Sequence, residues 1–277
     1  MMMNLKSTTK LAKGVEMPWF GLGVFKVQEG QEVVDSVKAA IKAGYRSIDT
    51  ATVYGNEEGV GQAIRESGVA RDELFITTKV WNNDQGYDST LAAFDLSLSK
   101  LGLDYVDLYL VHWPIRAKYK DTWRALEKLY ADGKVRAIGV SNFQIDHLED
   151  LLTEAKVKPM VNQVELHPLL SQLELREFCR AQGIQIEAWA PLAQGHLLDN
   201  EVIAEIAERH NKTLPQVILR WDLQNGIVTI PKSVKEERII ANADIFNFEL
   251  SEDEISRINA LNNNQRFGSH PDRFNNE

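Results

Sequence analysis

The sequence predicts an α/β chain wound into a closed (β/α)8 barrel, and three observations predict it. Eight short apolar runs, rich in β-branched and aromatic residues, recur between residues 45 and 248. Runs of that kind are strands buried on both faces. Segments with helical spacing separate them, and a length of 277 residues suits one such barrel.

The elements follow in order. Residues 8–25, with KGVEMP as the turn, read as a hairpin ahead of the first barrel strand. The strand candidates are YRSIDTA (45–51), LFITTKV (74–80), YVDLYLVHW (105–113), RAIGVSN (136–142), MVNQVEL (160–166), QIEAWAPL (185–192), IVTIPKS (227–233) and ADIFNF (243–248). Val33, Val34, Val37 and Ile41 share one helical face, and Leu91, Phe94, Leu98 and Leu101 share another. Val202, Ile203, Ile206 and His210 mark an extra helix after the sixth strand, and Ser251 to Leu261 mark one after the eighth. Ser171 with Glu174, Thr213 with Gln216 and Ser251 with Glu254 have capping-box spacing. Gly44, Gly133, Gly183 and Gly226 each close a helix before a strand. The polar tail, 262–277, reads as a loop or a loosely ordered end. The expectation is a single domain over 1–277: a TIM barrel with an N-terminal β-hairpin and extra helices after strands 6 and 8.

Composition narrows the function. A hydrophobic content of 44% is enough for a large core, and the net charge of −9 comes with no basic run. Nucleic acid and anionic membranes are therefore not the expected partners. Cys179 is a lone cysteine, which excludes an intrachain disulfide and a cysteine zinc cluster. The first twenty residues lack a signal-peptide core, and Tyr105 to Trp113, the most apolar stretch, carries Asp107 and His112. A cytoplasmic monomer acting on a small molecule is expected.

Polar and aromatic groups gather at the strand ends. Asp49, Lys79, His112, Ser141 with Asn142, Gln163, Trp189, and Lys232 with Ser233 stand at or near the C-terminal ends of seven successive candidates. Each has an ordinary reading alone: a buried acid, a lysine reaching solvent, a core histidine. In a barrel those ends meet at one mouth, where such enzymes carry their sites. Tyr54, in the loop after Asp49, reaches the same place.

This set resembles the aldo-keto reductase family. GYRSIDTATVYGNEEGVG, DYVDLYLVHWP, GVSNF and IPKSVKEERIIAN occur in the family's order, and the match runs from MPWFGLGVF to HPDRF. The nearest subgroup looks like the bacterial 2,5-diketogluconate, glyoxal and methylglyoxal reductases. The resemblance implies NADPH-dependent reduction of aldehydes and ketones. It implies Tyr54 as proton donor, Lys79 and Asp49 as the pair that tunes it, and His112 as the group that orients the carbonyl. An ammonium beside a phenol favours phenolate, so Lys79 is expected to lower the Tyr54 pKa. For the cofactor it implies Ser141, Asn142 and Gln163 at the nicotinamide amide, with Trp189 stacked on the ring. Gly23, Val24, Pro191 and Leu192 would lie along the cofactor. Lys232, Ser233, Val234 and Arg238 would clamp the 2′-phosphate, with Asn242 near the adenine. Ala241 stands where the family often has Glu or Gln, so one contact is missing. Phe25, Trp81, His112 and Trp113 would wall the substrate pocket, with tail residues as a partial lid and the pocket left open by the tail's shortness.

Other chemistries fit less well. Gly21, Gly23 and Lys26 break the glycine spacing of the usual dinucleotide turn, as do Gly59, Gly61 and Ile64. Phe143 breaks a nucleophile elbow at Ser141. No H-E-x-x-H occurs, so no metal is expected. A weakly catalytic NADPH-binding sensor is the remaining alternative.

Overall fold

Two short strands, β1 (Thr8–Lys10) and β2 (Glu16–Pro18), pair antiparallel; the expected hairpin is present but tighter, because its second strand takes up the EMP half of the expected KGVEMP turn. The structure is a computed structural model and describes residues 3–274. The chain continues as β3 (Leu22–Gly23), α1 (Gln31–Lys42), β4 (Ser47–Asp49), α2 (Glu57–Glu66), β5 (Phe75–Val80) and α3 (Tyr87–Leu101). Next come β6 (Val106–Val111), α4 (Tyr119–Ala131), β7 (Val135–Ser141), α5 (Ile145–Leu152), β8 (Val161–Glu165), α6 (Leu173–Gln182) and β9 (Gln185–Trp189). The last elements are α7 (Glu201–His210), α8 (Leu214–Gln224), β10 (Val228–Thr229), α9 (Glu236–Ala243) and α10 (Glu252–Asn259).

Strands β3 to β10 form one eight-stranded parallel sheet in sequence order. Its two edges meet. Gly21 N donates to Thr229 O and Thr229 N to Trp19 O, both at 3.1 Å, and Gly23 N donates to Pro231 O at 3.3 Å. Gly23 permits the approach, because a Cβ there would come within 2.9 Å of Ile230 O. Alternate strand residues point inward. Phe75, Leu108, Leu110, Ala137, Val161 and Val228 fill the lower barrel, and Leu11 and Met17 of the hairpin segment plug its floor. Helices pack on the outward-facing residues in a second, larger apolar layer.

Strand numbering shifts by one from the sequence expectation. The first barrel strand is Leu22–Gly23, too short and glycine-rich to read as one. Residues 243–248 are not a strand. They leave α9 as an irregular segment with Ile245 buried. Side chains satisfy its carbonyls instead of a neighbouring strand: Arg220 donates to Ile245 O at 3.2 Å and Lys212 to Asp244 O at 3.0 Å. With the shift, the extra helix α7 follows the seventh barrel strand rather than the sixth, while α10 follows the eighth as expected. Thr213 and Ser251 form their capping boxes. Ser171 does not; α6 starts from Gln172, and Ser171 N donates to Asn262 Oδ1 at 2.9 Å. Among the described residues no helix is long and apolar enough to cross a membrane.

Candidate active site

Asp49, the last residue of β4, and Lys79, on β5, point into the barrel near its C-terminal end. Lys79 is fully buried, and its Nζ donates to Asp49 Oδ1 at 2.6 Å and to Thr50 O at 2.9 Å. A third contact, 3.5 Å long, reaches the Tyr54 hydroxyl. Tyr54 sits in a 3-10 turn, Thr52–Tyr54, held by Thr52 Oγ1 donating to Lys79 O at 2.9 Å. That bond ties the loop to the strand carrying the lysine. His112 follows β6, with its ring centroid 5.8 Å from that of Tyr54. The four groups expected to converge do so.

Their charges follow from the surroundings. Burial is the largest single influence on Lys79 and lowers its pKa, but Asp49 and then Tyr54 more than offset it, and the pKa is raised. Burial is also the largest influence on Tyr54 and raises its pKa; Lys79 opposes that rise without overcoming it. This corrects the expectation of a lowered phenol pKa: Tyr54 holds its proton at neutral pH. Burial, then the Lys79 charge, holds His112 well below the usual imidazole range, so it is neutral. Its Nδ1 is buried without a hydrogen-bond partner among the described residues.

A polar chain crosses the barrel interior beside this cluster. Ser141 Oγ donates to Gln163 O at 2.8 Å. Asn142, at φ 64°, donates through Nδ2 to His112 O at 3.0 Å and to Ser141 Oγ at 3.1 Å. Its Oδ1 accepts from Trp189 Nε1 at 2.9 Å. Gln163 Nε2 donates to Asp49 Oδ2 and to Glu187 Oε2, both at 2.8 Å. Pro191 and Leu192 follow Trp189, and Gly23 and Val24 are buried across the closing seam.

The residues expected to clamp a phosphate lie in a second group, on the segment after β10 and on α9. Lys232, Val234 and Arg238 are exposed there, and Ser233 and Asn242 are buried. Ser233 Oγ accepts from Lys235 N at 3.2 Å, shaping the turn into α9. Among the described residues, neither Lys232 nor Arg238 has an ion-pair partner.

The aromatic walls assemble around Tyr54 and His112. Phe25 lies 5.0 Å from Tyr54 and Trp81 lies 5.2 Å from His112, centroid to centroid. Trp113 stacks on Phe274 at 4.0 Å and 5°. The tail is therefore not a loose end as far as residue 274; 275–277 lie outside the described residues. The buried Glu165 carboxylate accepts from Phe267 N at 2.6 Å and Gly268 N at 3.1 Å, and Arg266 approaches it at 3.6 Å. Phe267 stacks on His196 at 4.1 Å. The mouth is partly roofed, as the expected partial lid would have it, and is less open than the tail's shortness suggested. Sequence reasoning missed Glu165, Glu187 and Phe274. The first two were visible as acids inside apolar strand runs.

A Cβ on Gly268 would come within 2.4 Å of Trp189 Cη2, on a ring pinned by its bond to Asn142. Gly268→Ala is expected to lift the tail off Trp189 and speed limited proteolysis after residue 262 several-fold. An unchanged cleavage rate would contradict the contact.

The aldo/keto reductase family model matches residues 19–263. The chain belongs to the aldo/keto reductase family. Within that family of oxidoreductases, it is 70% identical over 271 residues to the glyoxal reductase of Bacillus subtilis, covering 98% of each. It is 48% identical over 269 residues to the methylglyoxal reductase DkgA of Salmonella typhimurium, covering 96% of this chain and 97% of the relative. A crystal structure of a mutant of Gox0644 in complex with NADPH superposes with a TM-score of 0.91 at 44% identity, covering 96% of this chain and 97% of that one. Carbonyl reduction is the activity that the family names.

Proposed function

We propose that this aldo/keto reductase reduces small dicarbonyls such as methylglyoxal to hydroxycarbonyls, with NADPH as cofactor and Tyr54 as proton donor. The observation that carries the reading is the buried Tyr54–Lys79–Asp49 cluster beside a neutral His112. The relatives named for glyoxal and methylglyoxal reduction support the substrate class, and the NADPH complex of a structural neighbour supports the cofactor.

The residues present fit that cofactor. Two exposed cations, Lys232 and Arg238, without ion-pair partners among the described residues, suit a phosphate dianion together with Ser233. The side-chain hydrogens of Ser141, Asn142 and Gln163 are all committed inside the protein. What these three still offer is acceptor oxygens, which suit the NH2 of a carboxamide.

Bound NADPH supplies a hydride to the carbonyl carbon. Tyr54 gives its phenolic proton to the oxygen as negative charge gathers there. Its raised pKa keeps it protonated until that moment. Lys79 Nζ, 3.5 Å away, steadies the phenolate left behind, and Asp49 keeps that ammonium charged. His112 donates a hydrogen bond from Nε2 and fixes the oxygen against Tyr54. Phe25, Trp81, Trp113 and Phe274 keep water from the reacting centre.

The test is direct. Added NADPH should quench tryptophan fluorescence, and methylglyoxal should then consume the reduced cofactor. Binding without oxidation would favour a sensor, and no binding would remove both cofactor readings.

A further inference from the structure

Glu187 is an acid in the barrel interior with no role in the chemistry above. It stands on β9 in register with Gln163 on β8, so both side chains enter the barrel at one level. Only 1% of its surface is exposed, and it makes no ion pair at contact distance among the described residues. Its hydrogen-bond partner is Gln163 Nε2, whose other hydrogen goes to Asp49 Oδ2; both bonds are 2.8 Å. Asp49, ion-paired with Lys79, can only accept, so the amide turns its NH2 end to it, and a Glu187 carboxyl oxygen accepts the second hydrogen. Glu187 and Asp49 thus lock Gln163 one way round, leaving Oε1 as its remaining hydrogen-bonding atom.

Resting on the function proposed above, we propose that Glu187 is a positioning residue. Through Gln163 it fixes the amide as an acceptor for the cofactor carboxamide. Through space it sets the charge felt by the proton-donating cluster.

The second part follows from what faces it. Asp49 from β4, Lys79 from β5 and Tyr54 from the loop after β4 are the charged or titratable groups acting on Glu187 or acted on by it. Its neighbour across on β10, Val228, is apolar. Burial, then the Asp49 charge, pushes the Glu187 carboxyl up to about 8, so it is neutral at pH 7 and ionises in mild alkali. Once ionised it raises the pKa of Tyr54. The phenol then keeps its proton to higher pH, and reduction extends further into the alkaline range.

Two variants separate the two effects. Glu187→Gln keeps an acceptor for Gln163 but cannot ionise. Its NADPH Kd should match the parent, while the alkaline limb of reduction and the acid limb of alcohol oxidation both move to lower pH, by on the order of half a unit. Glu187→Leu removes the acceptor and lets the Gln163 amide turn, and NADPH binding should weaken by about 3- to 10-fold. Circular dichroism checks that each variant is folded, and Glu187→Gln alone decides the matter if Glu187→Leu is not. Turnover by the parent with an unmoved pH profile in Glu187→Gln overturns the proposal alone. A parent protein that neither binds nor oxidises NADPH overturns the functional reading and this proposal with it.

Discussion

Tyr54→Phe is expected to lower kcat for carbonyl reduction by about 10²–10⁴-fold while leaving the Kd for NADPH nearly unchanged. The ring's packing against Phe25 and His112, with centroids 5.0 Å and 5.8 Å away, survives the change. What disappears is one hydroxyl, and with it the 3.5 Å contact to Lys79 Nζ. A developing alkoxide then meets no acid. His112 is neutral and its displaced pKa makes it a poor substitute, while Lys79 has its closest bonds to Asp49 and Thr50. Fluorescence titration and steady-state kinetics on the same sample read both quantities. A large loss of NADPH affinity would contradict the role given to the phenol.

Asp49→Leu should act on stability and catalysis together. It leaves Lys79, whose side chain is 0% exposed, without its 2.6 Å counter-ion. Removing one partner of a buried pair costs about 3–5 kcal/mol, far more than the pair itself contributes. With Asp49 gone, burial, already the largest influence on Lys79, loses its main offset and drives the pKa down. The sign with pH follows. A folded-state ammonium pKa below the unfolded value means that the unfolded chain binds more protons, so the variant gains stability as pH rises. The parent runs the other way, because its Lys79 pKa is raised: that stabilisation is present below the unfolded pKa and fades as pH climbs through the folded one. The deficit should therefore be large at pH 6 and smaller at pH 9.5 by denaturant unfolding. A midpoint matching the parent at both pH values would refute the account, and so would wild-type turnover.

Much of this was legible in the sequence. Strand ends that carry Asp49, Lys79, His112, Asn142, Gln163 and Trp189 announce a mouth, because period-two burial sends those side chains inward. One edge strand was not legible. β10 lies inside the strand expected over 227–233, but β3 has two residues, and its pairing depends on a glycine that lets two backbones approach. Residues 243–248 have a strand's composition but are held by side chains of α8 and the turn before it, which no local pattern reveals. Lys79 was expected to dominate Tyr54, but how far burial outweighs a nearby charge depends on three-dimensional packing. The tail's anchoring was hidden for a similar reason. Its polar composition says nothing of Glu165, some hundred residues away in the chain, which receives its backbone N–H groups.

The two chain ends serve opposite faces of the molecule. Leu11 and Met17, near the start, stop the barrel floor, while Phe267, Gly268 and Phe274, near the end, lie against His196, Trp189 and Trp113 at the rim. For anyone attaching this protein to a bead, an electrode or a fusion partner, the two ends of the described chain are not equivalent. A linker that joins near Leu11 approaches the barrel floor, and one that joins near Phe274 crowds the rim beside Trp113.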